Sequence, residues 1–367
     1  MKQLTHSLIA SLVLTSFTAN ADIDFSGYGS LVVGKTLAKD ERFTADFFEV
    51  GQYQDSLTFK PESMLALQAT SRLEDNLRLT LQVTGKGSDN FQTDFTWLYL
   101  TYQAKDDWTI MFGRRNIPMY YYSEFYDVGF AYPWMRPPSN LYWWQIVQFN
   151  GLHVSKDFLL GDYANNVTFF YGNEYTKDNK EMGFYAEQGF YGSDVIGVNE
   201  DWENIRGINW NISGEIFDIR LVYMEHDLNR DFALDTRDVR IGPRTSQTLW
   251  GIGGSIDLFP VTLLFEANSV KRHNDVEDTW PTFLVSVIYN YEEFQPFISY
   301  SKADQERISG DNFEQHYLLS YGLRYNFASS ASLKLQYDSF NDEGAVEGGW
   351  NFHGDSDTIS LGIDFVF

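Results

Sequence analysis

The chain of 367 residues carries 27 Lys and Arg against 51 Asp and Glu, a formal net charge of −24 with His neutral, and it contains no cysteine. The missing cysteines exclude disulfides, thiolate metal sites and cysteine nucleophiles. The acidity disfavours nucleic acid and anionic membrane surfaces as partners, because both bind clusters of Lys and Arg. Aromatic residues reach 17% although the mean hydropathy is only −0.33. That combination is typical of a barrel whose strands face lipid on one side and water on the other.

The first 21 residues predict a cleaved secretory signal peptide. Lys2 precedes an apolar run from Leu8 to Phe17, and Ala19-Asn20-Ala21 has the small-x-small pattern of a cleavage site. We therefore expect the mature protein to be residues 22–367, folded as one domain. No later stretch has the ~18 uninterrupted apolar residues that a membrane-spanning helix needs.

From Asp22 onward, segments of about ten residues with alternating apolar and polar side chains recur along the chain. They predict an all-β fold, a transmembrane antiparallel β-barrel of about 16 strands with long extracellular loops and short periplasmic turns. Short turns are predicted at Asp75-Asn76, Asp106-Asp107, Gly214-Glu215, Pro260 and Ser329-Ser330, since these residue types favour tight turns. The acidic stretches 174–204 and 338–357 are predicted to be solvated outer loops.

Strict alternation also predicts which face of a strand meets lipid. In LRLTLQV, residues 77–83, the leucines and Val83 are expected outside and Arg78, Thr80 and Gln82 inside. In FTWLYLTY, residues 95–102, both faces are apolar, so the orientation of this strand stays open.

The connector 116–146 is too aromatic for an exposed loop, with six tyrosines between Tyr120 and Tyr142. It follows the fifth predicted strand, and we expect it to be buried. Packing inside the barrel is the favoured interpretation, because most aromatic clusters form a core. A stacking surface for sugars is the alternative.

These features together resemble the Gram-negative porin superfamily over residues 22–367. The resemblance is carried by the exported N-terminus, the opening strand DIDFSGYGSLVVGKTL, the long connector after strand five and the terminal series ISLGIDFVF. It implies a homotrimeric, 16-stranded outer-membrane barrel for passive diffusion of ions and small hydrophilic solutes, narrowed by an inward-folded third loop. It also implies contact with outer-membrane lipids and lipopolysaccharide. Leu361, Ile363, Phe365 and Phe367 match the family's C-terminal signal for the barrel-assembly machinery.

Charged residues on the loop and the wall are the candidates for solute selection, because opposed charges across a narrow wet passage orient polar solutes. On the loop these candidates, with the aromatic Tyr120, are Glu124, Asp127 and Arg136. On the inner wall the predicted bases are Arg72, Arg78, Lys86, Arg115, Arg220 and Arg324. The competing interpretation is that these bases only form ion pairs that stiffen the barrel.

Other functions are less well supported by the sequence. A sugar- or oligosaccharide-specific channel and a plugged adhesion or receptor barrel share the strand pattern. An outer-membrane enzyme is the least expected, since no His-Glu-x-x-His or Gly-x-Ser-x-Gly pattern occurs. No cofactor and no metal site are expected, because neither acidic loop follows the EF-hand ligand order.

Overall fold

A computed structural model describes residues 22–144, 146–187, 195–234, 237–240, 244–273, 278–307, 312–344 and 354–367. The predicted signal peptide, residues 1–21, lies outside this range. The strands are β1 (Ile23–Thr36), β2 (Phe43–Asp46), β3 (Gly51–Tyr53), β4 (Met64–Glu74), β5 (Leu77–Lys86), β6 (Thr93–Lys105), β7 (Trp108–Asn116), β8 (Gln148–Leu160), β9 (Tyr163–Thr176), β10 (Gly197–Ser213), β11 (Phe217–Leu234), β12 (Arg237–Arg240), β13 (Thr245–Leu258), β14 (Val261–His273), β15 (Asp278–Tyr289), β16 (Phe294–Arg307), β17 (Asn312–Ala328), β18 (Ala331–Asp342) and β19 (Ser356–Val366). One α-helix, α1 (Lys180–Glu187), lies between β9 and β10. Among the described residues, no helix has the length and apolarity to span a membrane.

Sixteen of these strands close into an antiparallel barrel, as predicted. Closure occurs at β1, which pairs with β4 on one side and with β19 on the other. Phe367 completes this junction, because its backbone N–H donates to Gly27 O at 2.9 Å and its carbonyl accepts from Gly27 N at 2.8 Å. A closed barrel leaves no unpaired strand edge, which is the condition for placing β-structure in hydrocarbon.

The remaining strands are not part of this ring. Strands β2 and β3 form a small hairpin within the first long loop, and β12 pairs with the outer end of β11. The short turns fall where the sequence predicted them, at residues 75–76, 106–107, 214–216, 259–260 and 329–330.

Alternation of exposure along the strands confirms the lipid-facing pattern. In β19, Ile359, Leu361 and Ile363 are exposed, whereas Ser360 and Asp364 are buried inside. In β15 the exposed series is Phe283, Val285, Val287 and Tyr289, and its polar neighbours Thr282 and Ser286 are buried. The barrel is therefore apolar outside, whereas its inner face carries polar residues together with apolar ones such as Leu284 and Ile288 that join the central core.

Strand β6, whose orientation the sequence left open, directs Leu98, Leu100 and Tyr102 outward. Its second apolar series faces inward. Trp97 Nε1 donates to Asn116 Oδ1 at 2.9 Å, and the Tyr99 ring lies 5.3 Å from the Arg115 guanidinium. Both faces are apolar because the inner one packs against side chains at the base of the loop that follows β7.

The prediction of solvated loops over 174–204 and 338–357 is wrong at their ends. Strand β9 continues to Thr176 and β10 starts at Gly197, with α1 between them. Glu174 is held by Arg114 at 2.6 Å, and the fully buried Glu200 by Arg230 at 2.6 Å. Paired carboxylates of this kind can be buried where free ones cannot. Likewise β18 runs to Asp342 and β19 begins at Ser356, and residues 345–353 lie outside the described range.

Candidate functional site

The third long loop, residues 116–146, folds into the barrel and lies against the far wall. Tyr121 reaches β11 and β14, where its hydroxyl bonds Asp218 at 3.0 Å and its backbone N–H bonds Glu266 at 3.0 Å. Further along, Trp134 Nε1 donates to Ser299 on β16 at 2.6 Å. The inward-folded loop that the sequence predicted is therefore present.

The aromatic side chains of this loop form the central core of the molecule. Tyr120, Tyr126 and Tyr142 are all buried, with ring centroids 4.8 Å apart for Tyr120 and Tyr142 and 6.0 Å apart for Tyr126 and Tyr142. The Tyr142 hydroxyl donates to Glu266 at 2.5 Å and accepts from Tyr122 N at 3.0 Å. These rings therefore pack against one another in the described part of the loop.

A buried ion pair anchors the middle of the loop to β18 and β19. Lys334 Nζ lies 2.8 Å from Asp364 Oδ2, and both side chains are 1% exposed. The same ammonium donates to two loop carbonyls, Gly129 O and Trp134 O, each at 2.6 Å. One lysine thus satisfies a wall carboxylate and two loop acceptors at once.

Arg136 does not face an open passage, contrary to the expectation from sequence. Its side chain is buried, and Nη2 donates to the backbone carbonyl of Glu62 at 2.6 Å, with the Tyr132 hydroxyl 3.3 Å from Nη1. The guanidinium therefore ties the third loop to the first. Burial raises the pKa of Glu62 to about 7, although the hydroxyl of Tyr53, which donates to it at 2.7 Å, lowers that pKa.

The two loop carboxylates face bases of the barrel wall. Glu124 lies 2.8 Å from Arg115 and 3.8 Å from Arg220. Asp127 lies 2.9 Å from Lys86. The Glu124 side chain is 33% exposed and that of Asp127 is 7% exposed, so the first pair is the wetter one.

The remaining predicted bases differ in their relation to the loop. Arg324 donates to Tyr132 O at 3.1 Å and lies 4.6 Å from the centroid of the Phe130 ring. Arg72 and Arg78 are exposed and face each other across β4 and β5, next to the short turn at 75–76. The structure thus brings Lys86, Arg115, Arg220 and Arg324 to the loop and leaves Arg72 and Arg78 at the periplasmic mouth.

Two cavities flank the Glu124 and Asp127 pairs. The outer cavity, about 360 Å³, is lined by residues of the external loops, among them Glu49, Asp89 and Lys180. The inner cavity, about 290 Å³, lies on the short-turn side and is lined by Tyr99, Thr109, Met111, Arg115, Pro118, Glu124, His153, Ser155, Asn166, Thr168, Asn209 and Asn211. The open space in the barrel therefore follows the wall from β5 to β10.

Sequence reasoning missed several residues that position the loop, above all Tyr121, Lys334 and Asp364. Lys334 and Asp364 each occupy a polar position in an alternating strand, so their inward orientation was readable. Their pairing depends on the register of β18 against β19, in which Ser332 lies opposite Asp364. No sequence pattern distinguishes Tyr121 from the five other tyrosines of the loop.

A closed barrel with an apolar exterior, a polar wall and a loop folded into its lumen defines an outer-membrane channel. The family model described as Gram-negative porin matches residues 8–345. The chain belongs to the Gram-negative porin family, and it is an outer-membrane channel for passive diffusion. Family and fold indicate a channel and not an enzyme.

Solved structures show the same architecture at low sequence identity. A loop L8 deletion mutant of OmpT of Vibrio cholerae is 13% identical, with a TM-score of 0.63 over 95% of this chain and 100% of that one. The trimer form of in-vitro folded OmpT is 12% identical, with a TM-score of 0.59 over 95% and 99%. The outer-membrane channel DcaP of Acinetobacter baumannii is 12% identical, with a TM-score of 0.61 over 95% and 98%. No curated protein sequence matches the chain.

Proposed function

We propose that loop 116–146 narrows the passage to a strip beside β5–β10, where Glu124 and Asp127 oppose wall bases. The observation that carries this proposal is that Lys86 of one ion pair lines the outer cavity, whereas Arg115 and Glu124 of the other line the inner cavity. The far wall does not border the passage, because the aromatic core of the loop covers it. Solutes then pass along a short region beside these two contacting ion pairs.

Charges placed in this way select solutes by size and polarity. The local field of these ion pairs orients a dipolar, water-soluble molecule and disfavours an apolar one, so we propose ions and small hydrophilic solutes as the cargo. Glu124 is the stronger determinant of ion preference because it is more exposed to the passage than Asp127.

The test is ion selectivity of the purified protein in planar bilayers. Under a KCl gradient, Glu124→Gln removes the carboxylate paired with Arg115 and Arg220, and the reversal potential shifts toward anion preference. Asp127→Asn shifts it less, and Asp162→Asn, in a short turn between β8 and β9, serves as the control for removing one acid. Equal reversal potentials in all four proteins contradict the proposed constriction.

The same recording separates the competing barrels. A plugged adhesion or receptor barrel gives no stepwise current when it is correctly folded. A channel that selects sugars through its aromatic loop loses that selectivity when Tyr120 or Tyr142 is replaced, whereas a packed loop loses stability. We propose no catalytic step, cofactor or metal for this protein.

Export, assembly and association are proposals as well. We propose that residues 1–21 are removed as a signal peptide, and that Leu361, Ile363, Phe365 and Phe367 are read by the barrel-assembly machinery. The mature barrel then meets lipid and lipopolysaccharide as a homotrimer, which the trimer form of OmpT supports by its fold alone. Native mass spectrometry in detergent tests the trimer, and a monomer at all protein concentrations contradicts it.

A further inference from the structure

The inner cavity is lined by side chains that four neighbouring strands contribute in pairs. Residues two apart on a strand share a face. Strand β7 supplies Thr109 and Met111, β8 His153 and Ser155, β9 Asn166 and Thr168, and β10 Asn209 and Asn211. The register places Asn209 beside Thr168 and Asn211 beside Asn166. The result is a surface of amides, hydroxyls, one imidazole and the thioether of Met111.

Two of these side chains are buried without a hydrogen-bond partner for one polar atom in the described part of the chain. His153 and Asn209 are each 2% exposed, and the unpartnered atoms are His153 Nε2 and Asn209 Oδ1. Arg115 Nε, at the edge of the same cavity, also has no partner. Buried polar groups are nearly always hydrogen-bonded, so orphaned atoms around one cavity indicate a missing water or solute.

The charges at the cavity are already neutralised. Arg115 and Glu124 lie 2.8 Å apart. A cationic solute near this pair is repelled by the guanidinium, and an anionic solute is repelled by the carboxylate. The rest of this surface is uncharged. Amide, hydroxyl and imidazole groups both donate and accept hydrogen bonds, as the hydroxyl groups of a polyol do. The volume, about 290 Å³, lies at the lower end of small-molecule sites.

We infer that the inner cavity is a weak binding subsite for small neutral polyhydroxy solutes such as a monosaccharide. This inference rests on the proposed passage beside β5–β10 and adds a solute class to it. It differs from the sugar channel considered above, because the recognising groups are wall amides and hydroxyls, and the aromatic rings of the loop take no part.

The experiment is block of single-channel current by added sugar in planar bilayers. Glucose is the neutral probe, and glucosamine and gluconate are its cationic and anionic counterparts. Glucose in the millimolar range should reduce the current and increase its noise. Two variants test the site: Asn211→Leu and Asn209→Leu, of which the second also removes the 3.4 Å bond to Pro118 O on the loop. Ser332→Ala is the matched control, since it removes a buried unpartnered hydroxyl from β18, away from the cavity.

The outcomes separate this inference from the proposed function. Each Leu variant should raise the half-blocking glucose concentration at least tenfold, measured against its own unblocked current, while Ser332→Ala keeps the wild-type value. A conducting channel without glucose block shows that the cavity holds only water and overturns the inference. Stronger block by glucosamine or gluconate overturns the neutral solute class. Absence of any current contradicts the proposed function itself.

Discussion

Replacing Lys334 with methionine should detach the third loop from the wall. The substitution keeps the aliphatic stem and removes the ammonium that pairs with Asp364 at 2.8 Å. Both side chains are fully buried, so Asp364 becomes a buried charge without its partner, a change that typically costs about 3–5 kcal/mol. Two loop carbonyls, at Gly129 and Trp134, lose their donor as well, which places the loss at the upper end of that range.

The assay is urea-induced unfolding of the protein in detergent or vesicles, followed by tryptophan fluorescence. A double-mutant cycle adds Asp364→Asn, and the double variant should recover about 2 kcal/mol relative to Lys334→Met, because neither member of this pair is then left as a buried charge without the other. Lys105→Met, at an exposed short turn, controls for loss of a lysine. Wild-type stability of Lys334→Met, or a double variant less stable than the single one, refutes the reasoning that this pair holds the loop.

The other predictions concern the loops around this anchor. Because the pKa of Glu62 is raised in the folded state, the folded protein binds more protons than the unfolded one between about pH 4.5 and 7. The free energy of unfolding therefore falls as the pH rises through that window. Glu62→Gln should remove this slope and gain on the order of 3 kcal/mol at pH 8 but nothing near pH 4, measured by urea unfolding at both pH values; parallel pH profiles contradict it. Lys180 on α1 forms ion pairs with Glu49 of the first loop and Asp89 of the second. Lys180→Glu should therefore speed amide hydrogen exchange in residues 180–187, and unchanged exchange contradicts a stabilising role of these ion pairs. Gly129→Ala should lower the unfolding temperature, since a Cβ would lie 2.1 Å from an Asp364 oxygen; a variant as stable as wild type contradicts that close approach.

Alternating side chains were sufficient to predict the barrel. The series in LRLTLQV and ISLGIDFVF has one apolar face, and an apolar face without a soluble core to cover it requires lipid. Turn residues such as Asp75-Asn76 and Pro260 then predicted where strands end, and the segments between the turns gave the predicted number of about 16 strands. The wealth of tyrosine in 116–146 was likewise sufficient to predict that this loop is buried, because an exposed surface of that kind is unfavourable.

The ionic contacts of the loop were predicted in part, whereas their role in solute selection stays a prediction. Glu124 and Asp127 were expected to oppose wall bases, and the structure pairs them with Arg115 and Lys86. Arg136 was placed with them because a charged residue on a lumenal loop was assumed to face water. It instead satisfies a backbone carbonyl of the first loop, and nothing in the local sequence indicates that contact.

The sequence alone determined the face of the clearly alternating strands, the approximate number of strands and the burial of the aromatic loop, since each depends on residues a few positions apart. Only the tertiary structure decided which wall the loop covers and which charges meet. Lys334 and Gly129 are more than 200 residues apart, and their contact depends on closure of the whole barrel and on the register of each strand pair. Local patterns fix which side chains point inward, whereas the pairing of those side chains across the lumen is a property of the closed ring.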